Sequence, residues 1–303
     1  MRSKGIKFAL VTAVISGVAI FFNRFAVKAV GDALVFTTIK NLGVGLLVVW
    51  WLVFKQTNLS RINKRDWLKL AIIGVIGGSV PFYLFFKGLM LAQSASAALI
   101  HKTLIFWVTV WAVPMLKEKI SLKQMGALGL IFASNFVIGG LGQWSWGQGE
   151  WMILGATVLW AVENVVAKVT LKRVEVPVVV GARMILGSLL LLLVTITTGK
   201  LNLIFKLSVT QWGMMLVTVG LLLGYVVSWY KALKLAPVTL VATILSLGAV
   251  VTNILSSIFI TRNLTYGMLG QSILLVAGVW FFARETLKIS STFLTRQSLF
   301  KFR

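Results

Sequence analysis

Residues 95–114 read ASAALIHKTLIFWVTVWAVP, an apolar run with a histidine and a lysine side by side inside it. A lysine in an apolar setting can hold a carboxylate or phosphate, pair with an acid, or lose its proton, and histidine titrates near neutrality without help. His101 is the only histidine in the chain. If a helix starts near Ser94, a rise of 1.5 Å per residue puts Lys102 about 12 Å in, too deep to snorkel easily to an interface. A charge at a bilayer centre costs roughly 2.5–3.5 kcal/mol on insertion scales, so it normally faces protein interior or a wet cavity. Three roles follow for the pair. Lys102 binds an anionic group of a ligand, or it pairs with Glu163, the one acid well inside an apolar run, or His101 or Lys102 takes up and releases a proton. Successive helical residues differ by about 100° around the axis, so the two cannot face the same point. Lys102 is therefore assigned to the cavity, with His101 and Glu163 as coupling or ion-pair candidates.

Other polar and aromatic residues extend this site. WAVENVVAK contains Trp160, Glu163 and Asn164, and FFNRFAVK contains Asn23 as the approximate mate of Asn164. Amides of this kind recognise a substrate or join helices. Aromatic side chains recur at Phe82, Tyr83, Phe85 and Phe86, at Phe106, Trp107 and Trp111, and at Tyr225, Trp229 and Tyr230. They can wall an apolar pocket or form the interfacial belt where Trp and Tyr are enriched. The expected substrate-binding set is Lys102 for a carboxylate, Asn23, Asn164 and Tyr230 for hydrogen bonds, and Trp107 and Tyr83 as aromatic walls. Lys40 and Arg183 are expected nearer the helix ends, snorkelling to headgroups.

The elements that must carry these residues are membrane helices. Apolar residues make up 58% of the 303 and charged residues 12%, with a mean hydropathy of +0.94. Soluble domains carry about 25% charged residues, so lipid must be the solvent. Ten runs approach the length of about 20 apolar residues that a span needs: 6–28, 32–54, 68–90, 94–116, 122–142, 150–172, 176–198, 210–233, 237–260 and 264–284. The first follows a basic start and is read as a retained helix rather than a cleaved signal. The 30 Lys and Arg against 7 Asp and Glu cluster in alternate short loops. That is the positive-inside pattern, with both termini cytoplasmic, and it accounts for the charge without nucleic acid. A basic tail, 285–303, closes the chain as a surface helix or disordered segment.

The runs repeat. FKGLMLAQSASAALI at 86–100 aligns with YKALKLAPVTLVATI at 230–244, matching Lys87 with Lys231, Leu89 with Leu233 and Ala92 with Ala236, and continuing without a gap to Gly126 and Gly270. Lys40 corresponds approximately to Arg183. Five helices per unit is an odd number, so the second unit enters the membrane from the opposite side. Inverted repeats of this kind are found in secondary transporters, where the two halves give inward-open and outward-open arrangements. The expected fold is an all-α integral membrane protein with ten transmembrane helices in an inverted 5+5 repeat. The units are 1–145 and 146–284.

LFFKGLMLAQSASAALI and FWVTVWAVPMLKEKISLKQMGALGLIFAS, with Ala92, Ala95, Ala97, Ala98, Glu118, Gly126 and Gly129 in the first copy and Lys231, Ala232, Leu233, Ala236, Pro237, Ala242 and Gly270 in the second, resemble the EamA-like branch of the drug/metabolite transporter superfamily. The resemblance covers about residues 5–284. It implies a secondary carrier, commonly an exporter of an amino acid or related carboxylate in a prokaryotic cytoplasmic membrane, with helices 1, 3, 4, 6, 8 and 9 lining the site. A carrier of sugar phosphates or nucleotides is the alternative within transport, and it calls for at least two bases in the cavity. A membrane scaffold that moves nothing is the alternative outside it. Three departures stand out: Arg262 where the second copy of Glu118 falls, no proline in the middle of helix 9, where Leu247-Gly248 stand, and His101-Lys102 in place of small or apolar residues. The sequence carries no Walker loop, no His/Cys/carboxylate cluster for a metal, and no nucleophile–base set, so neither cofactor nor enzymatic chemistry is expected. The partners are a small-molecule substrate and the bilayer, with the chain a monomer or homodimer.

Overall fold

The computed structural model describes residues 2–92, 94–139 and 146–300. Its helices are α1 (Arg2–Val30), α2 (Ala33–Phe54), α3 (Lys64–Gly78), α4 (Val80–Leu91), α5 (Ser94–Lys102), α6 (Leu104–Leu116), α7 (Leu122–Ala133) and α8 (Phe136–Gly139) in the first half. The second half holds α9 (Gln148–Thr170), α10 (Val176–Gly181), a π turn (Ala182–Leu186), α11 (Gly187–Thr197), α12 (Leu201–Phe205), α13 (Val209–Leu235), α14 (Val238–Leu245), α15 (Gly248–Ser256), a second π turn (Ser257–Thr261) and α16 (Tyr266–Phe300). No strand occurs among the described residues.

Among the described residues, nine helical stretches are long and apolar enough to cross a membrane. The expectation was ten. In the run 122–142 only Leu122–Ala133 and Phe136–Gly139 are described helix, and part of the run lies outside the described residues. Other boundaries follow local chemistry. Ser121 with Gln124 and Ser208 with Gln211 form capping boxes that start α7 and α13. Pro81 and Pro177 stand in first turns, where the missing N–H costs nothing. Expected span 68–90 is interrupted at Ser79, just ahead of Pro81. Spans 94–116 and 237–260 both break midway, at Thr103 and at Ser246-Leu247, so the second break forms without a proline. The tail does not separate from the last span. With neither glycine nor proline between Val279 and Phe300, α16 continues as one helix.

Each half packs on the other. α1 lies along α13, α4 along α9, α2 against α11 and the π turn before it, α6 against α14, and α7 against α16. Where α3 meets that π turn the backbones nearly touch: a Cβ on Gly78 would lie 1.8 Å from the carbonyl oxygen of Arg183. Gly74 and Gly78 thus let α3 approach the other half closely, whereas Gly220 has nothing within 4 Å of a built Cβ.

Candidate functional site

α2 starts at Asp32, whose carboxylate accepts hydrogen bonds from the backbone N–H of Leu34 and Val35 at 2.9 and 3.0 Å. Burial pushes the Asp32 carboxyl up, but the Lys200 ammonium at 2.5 Å and the two amides outweigh it and hold the group below its ordinary range. Two turns further along, Lys40 points inward and is only 4% exposed. Its Nζ lies 5.4 Å from the ring centroid of Phe36, one turn earlier, and 5.4 Å from that of Phe86 on α4. Cation–π attraction offsets part of its desolvation. Among the described residues no carboxylate or hydrogen-bond acceptor meets it.

Lys40 lines a cavity of about 110 Å³ between the two halves. From α1 come Ser16 and Asn23; from α4, Phe82, Phe85 and Phe86; from α9, Trp160, Glu163 and Asn164; and from α13, Leu222, Tyr225 and Trp229. Arg183 enters from the π turn. Such turns are uncommon and recur at functional sites.

The acid in this cavity is committed. Glu163 is fully buried, accepts a hydrogen bond from Tyr230 Oη at 2.5 Å, and faces Arg183 Nη1 at 3.5 Å. Arg183 also donates to Tyr230 Oη at 3.3 Å and lies over the rings of Phe82 and Tyr230. Trp229 Nε1 donates to Asn164 Oδ1 at 2.9 Å, and Trp160 Nε1 to the carbonyl of Gly77 at 3.1 Å. Three buried polar atoms in the cavity residues have no partner among the described residues: Asn23 Oδ1, His101 Nδ1 and Arg183 Nε.

Of the residues singled out from sequence, the cavity brings together Asn23, Asn164, Glu163 and His101. His101 sits against Phe85 and Trp160, with ring centroids 4.8 and 5.5 Å away. Tyr230 stands behind the lining and reaches it through Glu163. Lys102, Trp107 and Tyr83 are not among the lining residues. Lys102 is half-buried at the end of α5, Trp107 packs on the hydrophobic core, and Tyr83 accepts a hydrogen bond from Lys87 at 3.1 Å. The alternative pairing of Lys102 with Glu163 does not form; Glu163 faces Arg183 instead. The expectation that Lys40 and Arg183 snorkel is also overturned, because both are 4% exposed and face the cavity. The signal was present in the sequence. Lys40 lies about as many residues into its span as Lys102 does, so the same depth arithmetic applies to both.

A solved structure described only as a crystal structure of a protein has a similar fold, with a TM-score of 0.76 over 93% of this chain and 99% of its own, at 17% sequence identity. No curated protein matches the chain. The sequence model of the EamA-like transporter family matches twice, over residues 3–140 and 147–284. With two copies covering nearly all of its length around one shared cavity, the chain belongs to the EamA-like transporter family.

Proposed function

We propose that this protein is a secondary carrier that exports a small carboxylate-bearing metabolite, an amino acid in the first instance, by alternating access. In this reading the chain has ten spanning helices in two inverted five-helix units, both termini lie in the cytoplasm, and the membrane is a prokaryotic cytoplasmic one. The pairing of α1 with α13 and of α4 with α9 supports that symmetry.

The observation that carries the substrate class is Lys40. A buried ammonium without a counter-ion is costly, and an anionic solute would supply what the protein withholds. Glu163 is already engaged by Arg183 and Tyr230. Lys40 therefore takes the carboxylate in place of Lys102, which stands off the lining. Asn23 Oδ1, an acceptor without a donor, suits an ammonium or hydroxyl on the same solute. The aromatic rings of Phe82, Phe85 and Trp160 wall the remaining space. Arg183 at the same cavity favours a second reading, a phosphate-bearing solute. Its pairing with Glu163 and a volume well under the ~300–1,000 Å³ of drug-sized ligand pockets argue for the smaller carboxylate.

The test is efflux from proteoliposomes loaded with amino acids, organic acids and a sugar phosphate, followed by mass spectrometry. Wild type should release a carboxylate solute. Lys40→Met should lower that release about 10- to 100-fold, the scale of one lost charge-assisted hydrogen bond, while Lys102→Met stays near wild type. Unimpaired Lys40→Met would remove Lys40 from the site. Release of the sugar phosphate alone would establish the second reading, and release of nothing by wild type would count against a carrier of these solutes.

A further inference from the structure

The two halves repeat, but the contact of α6 with α14 has no repeat-related counterpart among the described residues. Lys117 ends α6 in a left-handed conformation, φ 55°, and the chain turns so that Glu118 reaches the start of α14 in the other half. Its Oε1 accepts from the backbone N–H of Val238 at 2.8 Å. Its Oε2 accepts from the N–H of Thr239 at 3.2 Å and from Thr239 Oγ1 at 2.6 Å. Pro237 occupies the N-cap position and makes no side-chain cap, so the carboxylate supplied by α6 caps a helix of the opposite half. A carboxylate at a helix N-terminus is also favoured by the helix dipole.

The same corner is tied from three other sides. Lys168, near the end of α9, donates to the carbonyls of Leu233 and Ala236. Lys231 Nζ lies 5.3 Å from the ring centroid of Phe8 on α1. A Cβ on Gly5 would come within 2.8 Å of Ala236 Cβ, so α1 presses directly on the corner. α6 runs from Leu104, which lines the cavity, to this corner, where it packs on α14. By the repeat, the counterpart would be α15 packing on α5, and no comparable interface occurs there among the described residues.

The residue that could mirror the cap is also different. Arg262 likewise ends its helix at positive φ, 49°, just after the π turn Ser257–Thr261. Arg262 thus stands in the place of Lys117 and Asn263 in the place of Glu118, correcting the register by one. A neutral amide there is a weaker partner for a helix N-terminus than a carboxylate. The carboxylate that joins α6 to α14 thus has an amide in its repeat-related place.

We propose that Glu118 is a latch that holds α6 to α14, closes that mouth of the cavity, and must let go before a solute passes there. The role in passage rests on the carrier reading above; the closure itself does not. The chain contains no cysteine, so introduced cysteines report without background. Spin labels would go on Met115→Cys in α6 and Lys234→Cys in α13, both exposed, in the full-length protein in lipid nanodiscs, and the inter-label distance would be measured by double electron–electron resonance. With Glu118 present a single short distribution is expected. Glu118→Ala should add a longer population, and Thr239→Val, which removes one of the three bonds, should add a smaller one in the same direction. Glu118→Gln, which keeps an acceptor, covers the case in which the alanine variant does not fold. Unchanged distributions in Glu118→Gln and Thr239→Val, or in a folded Glu118→Ala, would overturn the latch. Proteoliposome efflux on the same variants separates the two ideas. Distances that shift while wild type moves no solute leave the latch standing and remove the carrier. Solute that moves while distances stay fixed does the reverse.

Discussion

Lys40 and Arg183 face one cavity but are stabilised differently, and their substitutions should differ accordingly. Arg183 and Glu163 form a desolvated pair completed by Tyr230. Removing one member of such a pair strands the other charge, which costs about 3–5 kcal/mol. Glu163→Ala should therefore lower thermal stability in detergent sharply, and Glu163→Gln less so. Tyr230→Phe, which removes only the hydroxyl, should cost about 1–3 kcal/mol. Lys40 has rings but no acid, so Lys40→Met should leave stability near wild type or raise it while impairing transport. A melting series by intrinsic fluorescence across these four variants separates the structural cation from the substrate-facing one, and a strongly destabilised Lys40→Met would count against its assigned role. From sequence, depth alone could not make this distinction. Lys40 and Lys102 enter their helices to similar depths, and rotation about the axis, set by neighbouring helices, turned one to the cavity and the other away.

The ends and breaks of the helices carry their own expectations. Asp32 caps α2 and pairs with Lys200. Asp32→Ala should cost about 1 kcal/mol, the usual loss for an N-cap. Because the folded-state carboxyl is held low, its contribution is complete above the ordinary carboxylate range and disappears as pH falls through the lower folded value. Wild type and Asp32→Ala should therefore converge in stability in strong acid and diverge above about pH 4. Equal spacing between their melting curves at all pH values would remove Asp32 from the account. At Gly78 the clash is with backbone, so Gly78→Ala should disrupt the α3 contact with Arg183 and reduce both stability and efflux. Capping boxes at Ser121 and Ser208 and the prolines in first turns were legible residue by residue. The breaks at Ser79, Thr103 and Ser246-Leu247 and the two π turns were not, since apolar residues run straight through most of them and only packing between the halves rewards the interruption.

At the scale of the whole molecule, the proposed ten spans would put both termini on one side, and the positive-inside pattern would make that side the cytoplasm. Reporter fusions at the two ends, a phosphatase active only outside and a fluorescent protein folding only inside, should both report the cytoplasm; opposite results would mean an odd number of spans. Composition and hydropathy were enough to establish a multi-pass helical membrane protein, because no soluble fold can hide so much apolar surface. The matched segments around Lys87 and Lys231 were enough to reveal two copies of one unit, because a repeat is written in residue identity. What the tertiary structure decided was which polar groups meet. Lys40, Arg183 and Glu163 come from three helices, and their convergence depends on helix rotation and on one extra residue in a π turn. The reach of Glu118 into the opposite half depends on a left-handed residue and on two helices brought end to end. Such contacts are relations between distant segments, and local pattern carries no record of them.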